Sequence, residues 1–543
     1  MKITLYKSCY VMMTAMLLAS CTKNFESLNT NPAGVTEDVF KADFQQIILP
    51  LVNTQKNIVP ASSGDYQLQQ NLNADIYSGY MMTPTPFNSG INNSNYFMMD
   101  GWNVDIYNVV YNNVLQPLSD YKRLAATYQG VDFSFTDAMA KTIKVLACHR
   151  TADVFGPIIY TKYGQANADL SVDYDSQQDA YNAFFKDLDT AATLLKPFTT
   201  GQKTVLSAFN KADIIYGGNP TKWLKLVNTL RLRLAIRIIY ADKATAKLQG
   251  EKALDPASGG LITANADNAI IDFGQRSPID EIVGWGDIRS GAPLTSYLNG
   301  YSDPRMPHMV APATVAVVAG KYIGIRNGVA IDDKNRYGGY SIPLAKAAAA
   351  DYFDPKDGKG KLLGAAETYF LMAEAGLNGW TGAGKVSDNY HLGITTSFAE
   401  WAAGSSADYE NDNTSTAAPY VDPQAKTAGA NDVPLKDANL STITIKWDDA
   451  ATPEKQLERI ITQKWIAIYP DGEEAWTEFR RTGYPKLFPV VINNSGGLIT
   501  GFIRRLPIPS KYQSNNKPGY DRAVLTLKGP DNGGTKLWWD SKP

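Results

Sequence analysis

Apolar residues recur at three- and four-residue intervals along much of the chain, a spacing that predicts helices. In "DVFKADFQQIILPLV" Phe40, Phe44, Ile47 and Leu51 fall at helical intervals. "WNVDIYNVVYNNVLQPLSDYKRLA" continues with Val104, Tyr107, Val110 or Tyr111, and Leu115. "FTDAMAKTIKVLACHRTADVFGP" takes Thr136 as a cap and stops at Gly156-Pro157, and "SQQDAYNAFFKDLDTAATLL" takes Ser176. The clearest stripe is in "NPTKWLKLVNTLRLRLAIRII": Trp223, Val227, Leu230, Leu234 and Ile238 share a face, with Pro220 at the start.

After Ala241 the texture changes. Residues 250–360 are rich in Gly, Pro, Asp and Asn around short apolar runs such as "NAIIDFG" and "GKYIGIRNG", which predicts loops and a few short strands inserted into a helical body. Helices resume in "AAETYFLMAEAGLNGW", apolar enough to be buried, and in "VSDNYHLGITTSFAEWAA". A polar stretch from Gly404 to Ser441 reads as a long loop. "PEKQLERIITQKWIAIYPDGEEAWTEFRRTGYP" then predicts a helical hairpin, with Leu457, Ile461, Trp465 and Ile468 inward, a turn at Pro470-Asp471-Gly472 and a stop at Gly483. The organisation expected is one mainly α body over 37–543, with helical pairs at about 37–240 and 362–482 and loop-rich insertions at about 78–102, 250–360 and 404–450. Paired helices of this length suit tetratricopeptide-like units of about 34 residues. The full repeat signature is absent, so an irregular bundle fits the periodicity equally.

The first 36 residues stand apart from this pattern. Lys2 and Lys7 precede the apolar run "VMMTAMLLA", which is far shorter than the roughly 20 residues a membrane span needs. It ends in "LASC", and a cysteine directly after Leu-Ala-Ser resembles the bacterial lipobox. Residues 1–20 are then an export signal, Cys21 is the acylated first residue, and the polar stretch 21–36 is a tether. The alternative is an ordinary secretory signal with a chance cysteine. Acylation at Cys21 adds about 0.8 kcal/mol of membrane affinity per buried methylene.

Composition narrows the chemistry. The 543 residues carry a formal net charge of -2 with no long basic block, which argues against nucleic acid as a partner. Cysteine (Cys9, Cys21, Cys148) and histidine (His149, His308, His391) number three each, too few and too scattered for a zinc site or a disulfide framework. Acid pairs such as "DDKNR" at Asp332 and "DGEEAW" at Asp471 read as a solvated turn and a helix first turn. "DYENDN" at Asp408 lacks the glycine and terminal glutamate of a calcium loop. Cys148 and His149 are neighbours on a helix and point about 100° apart, so they read as core residues rather than a nucleophile pair. No catalytic centre and no cofactor are expected.

Thirty Tyr and ten Trp are more informative. "SGYMMTPTPFNSGINNSNYFMMDGW" offers Tyr80, Phe87, Tyr96 and Phe97 among Asn and Ser, with Trp102 more suited to plugging a helix start. "EIVGWGDIRSG" sets Trp285 between glycines, with Asp287 and Arg289 close by. Aromatic faces stack on sugar rings while amides and charges hydrogen-bond hydroxyls, so Tyr80, Phe87, Tyr96, Trp285, Asp287 and Arg289 are the candidate ligand residues.

Several segments together resemble the SusD/RagB family of outer-membrane nutrient-binding lipoproteins. They are the lipobox with "LNTNPAGVT", "ADVFGPIIY", "KADIIYGGNPTKWLKLVNTLRLRLAIR", "SYLNGYSDPRM", "ETYFLMAEA", "QKWIAIYPDGEEAWTEFRRTGYP" and "RRLPIPSKYQSNN", in family order from Cys21 to about Asn516. They look most like the subgroup divergent from the founding starch-binding member. The resemblance implies a scaffold of four tetratricopeptide-type helix pairs with the ligand site in the insertions. It also implies lipid anchoring at the cell surface and a TonB-dependent, SusC-like outer-membrane transporter as partner. The function implied is capture of oligosaccharides without enzymatic activity. Peptide capture by the same architecture, a periplasm-facing protein-binding scaffold and a lipid-anchored glycoside hydrolase are the competing readings. No aromatic arc like that of the starch-binding relatives can be aligned.

Overall fold

The computed structural model describes residues 41, 43–344 and 358–543. Cys21, the export signal and the tether lie outside these residues.

The chain is built from helices laid against their sequence neighbours. α1 (Gln45–Gln55) packs on α2 (Gln116–Ala125), and α3 (Ser134–Phe155), α4 (Gln177–Thr199), α5 (Pro220–Arg237) and α6 (Lys243–Leu254) pack successively, each on the next. α7 (Pro278–Trp285) belongs to the insertion. In the second half α8 (Ala365–Leu377) and α9 (Val386–Glu400) pair, both pack on α10 (Pro453–Ala467), and α11 (Gly472–Thr482) completes the hairpin. This is the helix-pair architecture the sequence predicts, with few strands among the described residues.

Local chemistry sets the boundaries. Ser176 accepts from the Asp179 amide and Asn219 from the amides of Thr221 and Lys222, capping α4 and α5 as N-terminal oxygens do. Gly483, at φ 82°, ends α11 in the left-handed conformation. α3 differs from expectation: it starts two residues before Thr136, whose hydroxyl donates to the Phe133 carbonyl inside the first turn. α5 is also buried on more than one face, since Leu224, Leu226, Leu232 and Ile236 are as inaccessible as the predicted stripe.

Three arginines of α5, Arg231, Arg233 and Arg237, lie in this interior, which burial permits only with partners. Arg237 Nη2 is 2.6 Å from Glu474 Oε1 of α11, and Nη1 pairs with Asp153 of α3. Arg233 forks onto Glu367 of α8 at 2.6 and 2.8 Å. Arg481 of α11 holds Glu374 of α8 at 2.6 and 2.7 Å, and Lys464 of α10 lies 3.5 Å from both Glu474 and Glu478. One ionic network thus joins α3, α5, α8, α10 and α11. The Asp-Pro-Arg turn is used similarly: Arg305 is bidentate to Asp303 and donates to Ser397 of α9 and Gln463 of α10.

The C-terminal stretch returns to the first half. Arg505 donates twice to the Phe155 carbonyl at the end of α3, an orphan acceptor of that helix, and Trp539 Nε1 donates to Asp153 at 2.7 Å.

Candidate functional site

Two short sheets organise the insertions. β2 (Ala269–Asp272) pairs with β4 (Lys359–Leu363). β1 (Met81–Met82) pairs antiparallel with β3 (Arg289–Ser290) in the register Met81 to Ser290. That second pairing joins the first insertion to the second and brings the 83–97 loop beside the end of α7. Asp287 is the knot between them: it accepts from the Thr85 hydroxyl at 2.5 Å and from Lys334 Nζ at 2.6 Å, while Lys334 also donates to the Trp285 carbonyl at 2.9 Å.

The 83–97 loop is held in an unusual shape. Asn88, Ser89 and Gly90 have φ of 49°, 57° and 81°, a left-handed run that costs a non-glycine residue roughly 1–2 kcal/mol each. Side-chain amides offset that strain. Asn92 donates to the Phe87 carbonyl, Asn95 to the Gly90 carbonyl and Asn88 to the Ile91 carbonyl, at 2.6 to 2.9 Å. Asn93 binds Asn73 and Asn103. The asparagines expected to meet ligand hydroxyls are therefore largely spent on the loop itself.

The shaped loop walls a cleft of about 610 Å³, a volume typical of ligand sites. Its other walls are residues 329–332, Lys426, Ile492 and Asn494. Asp332 and Lys426, both in its lining, pair at 2.9 Å, with Arg336 at 3.3 Å from Asp332. The loop carrying Lys426 is fastened by Asp422, which accepts from the hydroxyls of Tyr337 and Tyr340 at 2.8 and 2.7 Å and from Asn431 at 2.6 Å. Burial, then Asp422, pushes both phenols well above their ordinary range, so they remain donors. Gly90 touches the opposite wall: a Cβ there meets the Ile331 carbonyl at 2.9 Å, at a φ that side chains disfavour. Gly90→Val is expected to lower ligand affinity at least about tenfold through displacement of this wall, with a thermal midpoint shifted by only a few degrees; titration calorimetry and a melting curve check both.

The predicted ligand residues separate into two groups. Trp285 is 43% exposed at the end of α7, and Asp287 lies half-buried beside Thr85 and Lys334. Phe87 is half-buried, edge-on to Trp102 at 5.7 Å. The other three turn inward, against the expectation that they face a ligand. Tyr80 has no exposure; its hydroxyl donates to the Trp465 carbonyl and its ring packs on Trp465 and Tyr469 at 4.9 and 5.2 Å. Tyr96 is buried against Tyr77 at 6.2 Å, in a left-handed conformation that points its ring into the body. Arg289 gives its donors to the carbonyls of Gly338 and Ile288.

Other sequence candidates take structural roles. Burial pushes the Cys148 thiol up to about 12 and the His149 imidazole down to about 3, and His149 Nδ1 sits 2.9 Å from the Val145 carbonyl. Asp412 of the "DYENDN" loop accepts from the amides of Thr414 and Ser415. Among the described residues no group of three or more His, Cys, Asp or Glu is placed to hold a metal, and no helix is long and apolar enough to cross a membrane. None of the six candidates lines the cleft; its residues missed from sequence are Pro86, Ser89, Gly90, Ile91, Asn95, 329–331, Lys426, Ile492 and Asn494, and Asp332 read as a solvated turn.

The family model described as "SusD-like: Susd and RagB outer membrane lipoprotein" matches residues 27–540. Comparison with proteins of curated function gives no match. Among solved structures, a protein described as a chitin-binding SusD homolog from Flavobacterium johnsoniae is 39% identical with a TM-score of 0.83, over 92% of this chain and 99% of that one. A SusD homolog from Bacteroides vulgatus is 34% identical with a TM-score of 0.82, over 92% and 99% of the two chains. A protein described as chitin-binding is 25% identical with a TM-score of 0.69, over 91% and 100%.

Proposed function

Because the chain belongs to the SusD/RagB family of outer-membrane lipoproteins, whose members bind rather than catalyse, we propose that it captures oligosaccharides at the cell surface and delivers them to a TonB-dependent outer-membrane transporter. Cys21 is its acylation site and residues 21–36 its tether. The observation that carries the ligand assignment is the cleft of about 610 Å³ at the meeting of the insertions. Its walls are loops fixed by buried amides and tyrosines on a rigid helical scaffold, the arrangement in which binding residues are commonly found. Chitin-type chains are the first ligands to test, since two of the relatives are described as binding chitin. Trp285 and Phe87 are proposed as flanking contacts, with Asp287 positioning the Trp285 turn.

Titration of the full mature chain with N-acetylglucosamine oligomers, glucose oligomers and a peptide library tests the reading; binding to peptides alone would sink it. Trp285→Ala is expected to weaken oligosaccharide binding about three- to tenfold while changing stability by less than about 0.5 kcal/mol, as for an exposed side chain free of partners. Unchanged affinity in both Trp285→Ala and Phe87→Ala would remove these two residues from the site.

A further inference from the structure

The two most exposed large apolar side chains among the described residues are Leu170, at 85%, and Leu525, at 82%. Leu170 stands at φ 64°, a left-handed backbone that leucine disfavours and that glycine or asparagine tolerates. A tight turn holds it there. The Leu170 amide donates to the Asn167 carbonyl, the Asn167 amide to the Ser171 carbonyl, and Ser171 donates to Asp169 from both amide and hydroxyl. A leucine is thus held out in water against its backbone preference. Leu525 follows the helix Lys517–Val524, which is tied to the same turn. Arg522 is 2.6 Å from Asp173 and 2.8 Å from the Ser171 hydroxyl, and Asn516 bonds both the amide and the carbonyl of Val172. The two leucines therefore belong to one corner of the molecule, and neither stretch contributes to the cleft lining.

Area and position say what covers them. A stable protein interface buries roughly 800 Å² per partner, far more than two side chains on projecting turns offer. A lipid surface sets no such threshold for a protein already anchored beside it, because each apolar group that enters adds to a contact made intramolecular by the anchor. The leucine corner and the base of the tether lie toward the two ends of one short helix. Tyr163, in the segment leading to Leu170, donates to Gln116 at the start of α2 at 3.3 Å. Beyond the other end of α2, Tyr128 stacks on Phe44 at 5.3 Å, close after Lys41. The ten residues of α2 rise about 15 Å. The chain from Cys21 to Lys41 spans at most about 70 Å, so an acyl group on Cys21 and the leucine corner reach the same surface. Residues 161–173 and 517–528 together hold four basic and three acidic residues, so no excess of acid opposes an anionic headgroup layer.

Resting on the acylation of Cys21 in the reading above, we propose that Leu170 and Leu525 form a second membrane contact, entering the boundary between headgroups and acyl chains beside the anchor. The anchor sets how far the body stands from the lipid. The leucine corner sets which face of the body meets it.

The test places the acylated mature chain on vesicles of phosphatidylethanolamine and phosphatidylglycerol. A thiol-reactive fluorophore is carried on Leu170→Cys, on Leu525→Cys or, as reference, on Leu248→Cys, 65% exposed on α6. Cys148 is buried and does not compete for the label. Lipids brominated near the headgroup boundary are expected to quench the first two labels at least about threefold more than the third. Equal quenching at all three positions overturns the proposal. A second measurement needs no label: flotation of the unacylated Cys21→Ser chain with the same vesicles. Leu170→Asn combined with Leu525→Ser is expected to lower its bound fraction about tenfold. The melting midpoint stays equal or rises, since asparagine suits the left-handed backbone at 170. A bound fraction that the two substitutions leave unchanged overturns the proposal as well. A dimer of the Cys21→Ser chain in sedimentation, dispersed by the same substitutions, would assign the leucines to a second copy instead. Mass spectrometry of the mature N-terminus separates the premise from the inference. Cys21 without acyl chains removes the anchor and this inference with it, whereas acylated Cys21 with unquenched labels removes the membrane contact alone.

Discussion

Arg237→Met is expected to destabilise the protein by about 3–5 kcal/mol, the usual cost of removing one partner from a buried ion pair. The arginine is fully buried between Asp153, Glu474 and Glu478, so its loss leaves carboxylates without their counter-charge in a site that water does not reach. Burial alone would raise the Glu474 carboxyl, but Arg237, Arg233 and Lys464 outweigh it and hold the group well below its ordinary range. Glu478 behaves alike: burial opposes ionisation, and Arg481, Lys464 and Arg237 bring it down to about 2. Denaturant unfolding of Arg237→Met beside the exposed-surface variant Lys247→Met provides the check. A loss below about 1 kcal/mol would mean that apolar packing holds the five helices without the network.

The second large effect is on pH. Burial pushes Glu473 up to about 8, because Arg150, its partner at 2.8 Å, also serves Asp471, and the neighbouring Asp471 and Asp153 charges oppose a further anion. Burial likewise raises Asp75 to about 6 against hydrogen bonds from Gln70 and Asn71. Both folded-state values lie above the unfolded ones of 4.5 and 3.8, so the folded chain binds the extra protons. Their contribution is therefore complete below the unfolded values and is lost as pH rises through about 6 and then about 8. Glu474 and Glu478 act in the opposite direction: their contribution is present above 4.5 and is lost as pH falls through about 2 for Glu478. Stability is expected to be greatest on the acid side of neutrality and to fall by several kcal/mol toward pH 9. Glu473→Gln, which keeps a hydrogen-bond acceptor for Arg150 without the charge, is expected to flatten the alkaline limb. An unfolding midpoint that rises between pH 6 and pH 9 would refute the assignment.

Helices were legible because their apolar spacing repeats within a few residues, which a single stretch of chain can display. The hairpin of α10 and α11 shows this, with its turn and Gly483 stop where the pattern predicts them. The ionic network was visible only as an oddity, arginines alternating with leucines in "TLRLRLAIR", because the hydrogen-bond partners Asp153 and Glu474 lie 84 and 237 residues from Arg237 in sequence. The same distance problem governs the site. The 83–97 loop, which walls the cleft, stood out by its aromatic and asparagine content. Which side chains face outward depends on pairing β1 with β3 across some two hundred residues, and that pairing turned Tyr80 and Arg289 into the body. Lys426 gave no signal, since a lysine in a polar loop acquires its meaning only from its pairing with Asp332, far off in sequence.

The clasp of the C-terminal segment on α3 has a consequence for the order in which the molecule can mature. Asp153 meets Tyr181 and Arg237 soon after its own synthesis, but Trp539 arrives with the last residues of the chain. Until then the end of α3 has open acceptors at Asp153 and Phe155, and the first half lacks the cover of Ile503, Leu506 and Leu537. The first half of a growing chain therefore lacks the Arg505 and Trp539 hydrogen bonds and part of its apolar cover until the last residues are made.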